Sequence, residues 1–270
     1  MGVLKVRIEY EYREQALSIF TNRTQPDIAI IGGVAIENLI FNKKNPKIKT
    51  IIGDSGGRIA FYLKKYKLTP TVFTFLGDDV YLNMILKTFD KNGIPLTWGV
   101  NKNGNNHIIR IIDEKRKFFE INKVHEEINP ILLEEALCNI NHIFIKYEEW
   151  NSKIIDFNYI KGRKIFTDID EFYDYENASF TTNYLFIRNL DRKNLQNITC
   201  DYYISFYEDK IIQNGLEIKI KDHENNLFFD EAISAYENVF IYYIMTKRTI
   251  EKANELALEA FNKTYKDGKI

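Results

Sequence analysis

Two short apolar runs in the N-terminal half of the chain end at glycine. Residues 25–33 (QPDIAIIGG) and 71–77 (TVFTFLG) each join a continuous run of apolar residues to a glycine turn. Runs of this length fit parallel strands that are covered on both faces. The sequence therefore predicts two buried strands here.

A helix is predicted over residues 81–93, shortly after the second strand. Its apolar residues keep the spacing of one helical face and are Leu82, Ile85, Leu86 and Phe89. Asp78 or Asp79 is expected to cap the first turn, and Gly93 marks the end of the helix.

A two-residue alternation of apolar and polar positions replaces this pattern in two places. It runs from the first strand to Gly56, and again from Pro95 to Phe119. Residues 108–122 (IIRIIDEKRKFFEIN) fit hairpin strands around residues 113–115. We predict a small β lid on an α/β body, formed by about 37–52 and 96–120.

The C-terminal half continues as strands separated by helices. The predicted strands are 142–147, 164–170, 183–189 and 201–207, and the predicted helices are 131–140, 230–245 and 248–265. This order favours a doubly wound, largely parallel sheet flanked by helices, within a single α/β domain of residues 1–270. Ligands bind outside the carboxyl ends of such strands, where Gly33, Gly56 and Gly77 would lie.

The composition argues against a nucleic-acid partner, a disulfide framework and a membrane span. Lys and Arg number 37 against 38 for Asp and Glu, so no overall basic field would attract a nucleic acid. Cys138 and Cys200 stand alone, which fits buried thiols in a reducing compartment. The longest apolar run, residues 239–245, is too short to cross a bilayer, and the N-terminus has no secretory pattern. We expect a cytoplasmic protein with no membrane partner.

Other catalytic patterns are weak or missing. The four histidines are scattered without metal-ligand spacing, so no metal site is expected. Neither a dinucleotide-binding glycine motif nor a phosphate-binding P-loop occurs. Asp168, at the end of a predicted strand, fits either the mouth of a cleft or the cap of the next turn.

The segments DIAIIGGVAIENLI, SGGRIA and FLGDDVYLNMILKTFDKNGI together resemble the ribokinase-like (PfkB) family of sugar and nucleoside kinases. In that family a strand is followed by a β lid, a Gly-Gly pair that opens a helix, and a Gly-Asp-Asp turn. The order and spacing match over about the first 125 residues. The resemblance implies that the Gly-Gly turn faces a small hydroxylated substrate beneath the lid, and that the second turn secures the neighbouring helix.

The resemblance also implies roles on the substrate side. Glu37 stands where the family has an aspartate that binds substrate hydroxyls, and Gly56 and Gly57 match the pair whose backbone lies close to the substrate. Arg58 replaces a small polar residue. It is either a ligand for an anionic group of the substrate or a solvated residue at the start of a helix.

On the nucleotide side the resemblance places the family's glycine-rich anion hole on residues 224–230 (ENNLFFD), with Asp230 as the catalytic base and Asn226 beside the nucleotide. Leu227 and Phe229 replace the two glycines of that motif. Asn189 keeps a nucleotide-side asparagine, whereas Arg192 replaces the glutamate that follows it. Bulky side chains resist the backbone conformation that glycine adopts there, and Phe228 and Phe229 could fill the space of ATP.

Two functions remain open from the sequence. The first is a kinase that transfers the γ-phosphate of ATP, with Mg²⁺, to a hydroxyl of a small sugar, polyol or nucleoside. The alternative is a catalytically degenerate relative that acts as a small-molecule-binding, regulatory or oligomerisation protein. In both cases the lid strands are expected to form a homodimer, as they commonly do in the family.

Overall fold

A computed structural model provides the structure of the protein. It describes residues 25–41, 47–112, 117–122, 124–125, 133, 137, 139–148, 150–151, 160, 162–170, 175, 178–207, 209–220 and 228–267. In chain order the elements are β1 (Ile28–Ile31), β2 (Ala35–Phe41), β3 (Lys47–Gly53), α1 (Asp54–Lys65), β4 (Pro70–Gly77), α2 (Leu82–Lys91), β5 (Leu96–Asn101), β6 (Asn106–Ile112), β7 (Lys117–Ile121), β8 (His142–Lys146), β9 (Lys164–Asp170), β10 (Phe180–Arg188), β11 (Ile198–Phe206), β12 (Lys210–Gln213), β13 (Leu216–Lys219), α3 (Phe229–Met245) and α4 (Ile250–Asp267).

Nine strands form one large sheet in the order β13-β12-β11-β10-β9-β8-β1-β4-β5. The pairs from β11 through to β5 are parallel, and the two pairs at one edge, β11-β12 and β12-β13, are antiparallel. The predicted α/β class with a largely parallel, doubly wound sheet is confirmed.

Both faces of the large sheet are covered, which explains the continuous apolar runs. All four residues of β1 are fully buried. One face packs against α1 to α4 through residues such as Phe89, Phe240 and Phe261. The other face packs against a second cluster that includes Leu133 and Leu137, both helical.

The order of the strands reverses at β1, and this places a crevice at its end. From β1 the chain moves to β4 and β5 on one side, and later to β8, β9 and β10 on the other. The carboxyl ends of β1 and β8 therefore border the switch point at which ligands bind in open α/β sheets.

A separate four-stranded sheet has the order β3-β2-β6-β7. Its hairpins β2-β3 and β6-β7 are antiparallel and join through the parallel pair β2-β6. This sheet fits the small lid expected from the alternating pattern. The sequence range assigned to the lid differs at one point, since β5 pairs with β4 in the large sheet and the lid resumes only at Asn106. Alternation alone does not distinguish an edge strand of the body from a lid strand.

The Gly-Asp-Asp turn after β4 holds the connection between β5 and β6. The Asn105 side chain accepts a hydrogen bond from the Gly77 N–H at 3.0 Å and donates to the Gly77 carbonyl at 2.8 Å and to Asp79 Oδ1 at 2.6 Å. A Cβ on Gly77 would lie 1.9 Å from the Gly104 carbonyl carbon. Burial acts to raise the pKa of Asp79, but the hydrogen bonds from Asn105 outweigh it and lower the pKa below its usual range.

This turn differs from the helix cap expected for it. The cap residue of α2 is Tyr81, with no side-chain cap bond, while Asp79 Oδ1 accepts from the Tyr81 N–H at 2.9 Å. Asp79 lies two residues before the cap position, and both of its carboxylate oxygens accept hydrogen bonds from Asn105. Gly93 ends the helix with a φ of 60°, as predicted.

Candidate functional site

The first turn of α1 packs against the glycine turn that follows β1. A Cβ on Gly56 would lie 2.7 Å from the Gly33 carbonyl oxygen and 2.8 Å from that of Gly32, so this position admits only glycine without a backbone shift. Gly57 donates its N–H to the Gly33 carbonyl at 3.3 Å. Among the described residues, a Cβ on Gly57 would have only Val34 Cγ2 within 4.0 Å. Gly57 is buried, but its Cβ position is thus far less crowded by described atoms than that of Gly56.

Glu37 lies on β2 with its carboxylate turned towards the start of α1. The residue is fully buried, and Oε1 accepts a hydrogen bond from the Asp54 N–H at 2.6 Å. A Cβ on Gly53 would lie 2.3 Å from Glu37 Oε1. The glycine at the end of β3 thus makes room for this carboxylate beneath the lid.

Arg58 joins the lid strand to the C-terminal half of the chain. Its guanidinium forms an ion pair with Glu37 Oε2, and its Nη1 lies 3.9 Å from Glu231 Oε1 in α3. The Arg58 side chain is only 11% exposed, so it is not a solvated residue at the start of a helix. The bridge from Glu37 through Arg58 to Glu231 brings the first turn of α1 close to the first turn of α3.

Asp230, the expected base, occupies the first turn of α3 next to Glu231 and is half-buried. Phe229 precedes it and is 2% exposed. The Phe229 ring packs edge-on against Phe261 and Tyr265 of α4, at centroid distances of 6.1 and 6.2 Å. Phe229 thus belongs to the hydrophobic core. Asn226 and Leu227 lie outside the described residues.

A second acidic side chain at the crevice was not predicted. Glu148 follows β8 and is 5% exposed. Its Oε1 accepts from the Gly33 N–H at 3.1 Å, and its Oε2 accepts from Trp150 Nε1 at 2.5 Å. The only sequence signal was an acidic residue two positions beyond an apolar strand, at the edge where ligands bind.

A buried ion network lies at the carboxyl ends of β8, β9 and β10. Asp168 is fully buried and pairs with Lys146 Nζ at 3.1 Å and with Arg188 Nη2 at 2.8 Å. Arg188 also bonds both carboxylate oxygens of Glu237 in α3, at 2.8 and 2.9 Å. Of the two alternatives for Asp168, the structure supports neither a solvent-facing cleft residue nor a turn cap, because its carboxylate is held between two buried cations.

The protonation of this network is set by burial and by its charges. Burial opposes the charge of Arg188, but Asp168 and Glu237 outweigh it and raise the Arg188 pKa, so this side chain stays charged. Burial raises the pKa of Glu237 to about 8, against the lowering effect of Arg188. The network therefore ties α3 to the sheet with a carboxyl group that titrates near neutral pH.

Asn189 and Arg192 shape the turn after β10. Asn189 has a φ of 52° and donates its N–H to the Phe206 carbonyl at 3.0 Å. The Arg192 guanidinium donates to the carbonyls of Leu195 and Ile198, the latter at 2.6 Å. Arg192 thus donates hydrogen bonds to nearby backbone carbonyls. The resemblance to the PfkB family places a glutamate at this position.

The part of the chain that the structure describes contains no group of three or more His, Cys, Asp or Glu side chains arranged to hold a metal ion. None of the described helices combines the length and the apolar character that crossing a bilayer requires.

Comparison with known proteins identifies the fold. No family model matches the sequence, and no curated protein matches it. Among solved structures, a microbiome-derived acarbose kinase is similar with a TM-score of 0.72 at 16% identity, covering 88% of this chain and 92% of its own. An Arabidopsis thaliana ribokinase complexed with ribose and ATP has a TM-score of 0.66 at 10% identity, covering 90% of this chain and 94% of its own.

A nucleoside kinase from Methanocaldococcus jannaschii, an archaeal member of the ribokinase family, has a TM-score of 0.63 at 13% identity, covering 89% of this chain and 92% of its own. The chain therefore has the ribokinase-like fold of PfkB-type kinases over most of its length, as the resemblance implied.

Proposed function

We propose that the protein is a PfkB-type kinase that transfers the γ-phosphate of ATP to a hydroxyl of a small sugar, polyol or nucleoside. The observation that carries the proposal is the bridge from Glu37 through Arg58 to Glu231 within a ribokinase-like fold. It joins the lid strand, the glycine-rich start of α1 and the start of α3. A substrate beside Gly57 would thus lie near the helix turn that carries Asp230.

In this proposal Asp230 accepts the proton of the attacking hydroxyl, and a carboxylate is suited to that task when it lies within hydrogen-bond reach. No described atom lies closer than 4.0 Å to a Cβ placed on Gly57, and the lack of a side chain there lets a hydroxylated ring approach the backbone in this proposal. Gly56 shapes that turn, and Glu37 and Arg58 provide polar atoms next to it. ATP, when bound, supplies the phosphoryl group, and the chain contributes mainly by positioning.

Nucleotide contacts are assigned to the turn after β10 and to the segment before α3. Asn189, at the end of β10, and Asn226 are the proposed contacts. The first turn of α3 begins at Phe229, and its cap residue Phe228 makes no side-chain cap bond, so this helix start is proposed as the anion-binding end. Mg²⁺, when bound with ATP, would be held mainly by phosphate oxygens and water.

Titration with ATP and Mg²⁺ by calorimetry, followed by a phosphoryl-transfer assay, tests this proposal. We expect micromolar to millimolar ATP binding and a loss of turnover of at least about 100-fold in Asp230→Asn. Asp90→Asn is the matched control, since Asp90 is an exposed residue of α2. Binding of ATP without turnover on any hydroxylated substrate would contradict the kinase assignment.

A degenerate binding or regulatory protein is the second candidate, and one observation favours it. Arg192, in the position of a family glutamate, is committed to the carbonyls of Leu195 and Ile198. Leu227 and Phe229 also replace glycines of the anion hole. Failure of ATP to bind, together with stabilisation by a sugar or nucleoside, supports this candidate, because only ligands that bind the native state raise its melting temperature.

We also propose that the protein is a cytoplasmic homodimer formed through the lid. Ile48, Phe119 and Ile121 are 66%, 51% and 48% exposed and share one face of the small sheet, here called the outer lid face. Glu37 and Ile108 lie on the opposite, buried face. Aromatic and aliphatic side chains grouped on an exposed sheet favour pairing with a second copy.

A further inference from the structure

A groove of about 450 Å³ lies between the C-terminal halves of α1 and α2, beside the lid strand β3. Pockets that hold small organic ligands have volumes of roughly 300–1,000 Å³, so this groove is large enough for one. It lies at the opposite end of α1 from the glycine turn that begins the helix. The described residues that line the groove are Ile52, Phe61, Lys64, Lys65, Thr88 and Asn92.

Part of the groove is apolar. Phe61 and Ile52 are both partly buried and pack against the hydrophobic core. The Phe61 ring also packs against Phe89 of α2, with ring centroids 4.9 Å apart. This contact holds the Phe61 ring in place, and the part of the ring that stays exposed offers an apolar surface to a ligand.

Two ammonium groups lie next to this apolar surface. Lys64 Nζ donates a hydrogen bond to the Gly93 carbonyl at 3.1 Å, and Lys65 Nζ lies 4.6 Å from the centroid of the Tyr62 ring. Both of these partners are uncharged, so neither of them neutralises the lysine that it holds. An ammonium group has three N–H donors, so Lys64 keeps donors for a ligand.

The polar side chains of α2 in the groove are bonded within their own helix. The Thr88 hydroxyl donates to the Met84 carbonyl at 2.8 Å, and Asn92 Nδ2 donates to the Thr88 carbonyl at 2.7 Å. The charged donors that the described residues bring to the groove are therefore Lys64 and Lys65.

Lysines near a helix C-terminus also interact favourably with the helix dipole. The last turn of α1 contains Lys64 and Lys65, and that of α2 contains Lys91. The dipole places roughly half a negative charge at each helix end, which is less than the charge of the lysines there. Asp90 lies two positions from Thr88, so it does not share the face of α2 that lines the groove. The helix ends therefore do not cancel the charge of Lys64 and Lys65.

From this arrangement we infer that the groove binds a small organic anion, namely a carboxylate joined to an aromatic ring or a short apolar chain. The ring or chain contacts Phe61 and Ile52, and the carboxylate contacts the two ammonium groups. Ion pairing alone at exposed lysines is weak, so the adjoining apolar surface is needed for affinity. The inference is independent of the proposed kinase activity, because it concerns a different part of the molecule.

Three matched compounds test the inference by calorimetry: 3-phenylpropanoate, the neutral alcohol 3-phenylpropan-1-ol, and acetate. We expect 3-phenylpropanoate to bind at least about tenfold more tightly than the alcohol, because hydrogen bonds to charged groups are the stronger ones. Acetate should also bind at least about tenfold more weakly, because it lacks the apolar body. Equal affinity for the alcohol, or no binding of 3-phenylpropanoate at millimolar concentration, would overturn the inference.

The double variant Lys64→Met with Lys65→Met tests the role of the lysines, since methionine keeps an unbranched side chain without the charge. It should weaken 3-phenylpropanoate binding by at least about tenfold and leave the weak binding of the alcohol unchanged. Lys263→Met, at an exposed position of α4, is the matched control and should bind like the wild type. Binding that survives in the double variant would show that the anion is held by other groups.

Nuclear magnetic resonance places the probe on the molecule. Addition of 3-phenylpropanoate should shift the backbone amide signals of Ile52, Thr88 and Asn92 more than those of Gly56 and Gly57. Shifts confined to the glycine turn would move the anion to the proposed substrate site and reject the groove. Phosphoryl transfer is measured separately, so failure of this inference leaves the test of the kinase proposal intact.

Discussion

Arg188 donates from one nitrogen to both carboxylate oxygens of Glu237, at 2.8 and 2.9 Å. The two residues lie 49 positions apart in the chain and join the end of β10 to the middle of α3. Both are buried, and Asp168 and Lys146 complete the network. The helix that carries Asp230 is therefore fixed by a polar contact on the sheet side as well as by Arg58 on the α1 side.

Removing Arg188 should destabilise the protein strongly. We expect Arg188→Met to lower the free energy of unfolding by about 3–5 kcal/mol, because buried oxygens of Asp168 and Glu237 would lose the guanidinium that binds them. Urea denaturation of the variant, followed by circular dichroism, measures this change.

The double variant Arg188→Met with Glu237→Leu is the control for that prediction. Replacing both partners by apolar side chains removes the buried carboxylate as well as the cation, so it should recover a large part of the lost stability. A double variant no more stable than Arg188→Met would show that the pair contributes packing rather than charge compensation.

Glu237 should make stability depend on pH in an unusual direction. Its pKa is raised from 4.5 to about 8 in the folded protein, mainly by burial. The folded state thus binds this proton more tightly than the unfolded chain does. The stabilisation is fully present below about pH 4.5 and is lost as the pH rises through about 8.

Comparison with Glu237→Gln isolates this effect, since glutamine cannot ionise. The difference in melting temperature between the wild type and the variant should change in favour of the variant as the pH rises from about 5 to 9. A difference that stays constant over this range would mean that the Glu237 carboxyl does not titrate there.

Alanine substitutions in the glycine pair of α1 should show that Gly56 is needed for packing, whereas Gly57 is needed for binding. Gly56→Ala should cost at least about 2 kcal/mol of stability, because its Cβ would press on the carbonyl oxygens of Gly32 and Gly33. Gly57→Ala should fold normally or gain up to about 1 kcal/mol, since among the described residues its Cβ meets only Val34 Cγ2 at 4.0 Å.

Gly57→Ala should weaken sugar binding even though it does not lower the stability of the protein. In Gly57→Ala the added methyl occupies the space beside the backbone, so we expect sugar affinity to fall by about tenfold with an unchanged or higher melting temperature. Calorimetry on the folded variant measures it. Unchanged affinity would place the substrate elsewhere.

The buried strands and the end of α2 followed from local pattern. Residues 28–31 are buried on both faces, as their uninterrupted apolar run predicts. Gly93 marks the end of α2 because its positive φ favours glycine. Gly56 was assigned from the family resemblance, and in the structure its close approach to Gly32 and Gly33 explains why a glycine stands there. Resemblance to a known family added the order of these pieces.

The buried ion pairs could not be predicted from the local sequence in the same way. Three charged residues lie within or at the ends of apolar strands, namely Lys146, Asp168 and Arg188. The sequence around each of them does not indicate that they form ion pairs with one another or with Glu237. Ion pairs of this kind depend on which strands become neighbours, and that is decided by the whole sheet. Asp79 illustrates the same limit, because its partner Asn105 is 26 residues away.

The outer lid face gives the last prediction. Phe119→Glu places a charge on the outer lid face, on the same strand as Ile121 and across the sheet from Ile48, which an apolar pairing with a second copy could not accommodate. We expect the wild type to sediment as a dimer and Phe119→Glu as a folded monomer, with at least a tenfold weaker association.

Leu216→Glu is the matched control for this test, since Leu216 is 67% exposed on β13 at the far edge of the large sheet and not on the lid. It should leave the dimer intact. If both variants remain dimeric, the contact lies on another surface. If the wild type is already monomeric at micromolar concentration, the exposed apolar side chains of the lid do not pair two copies.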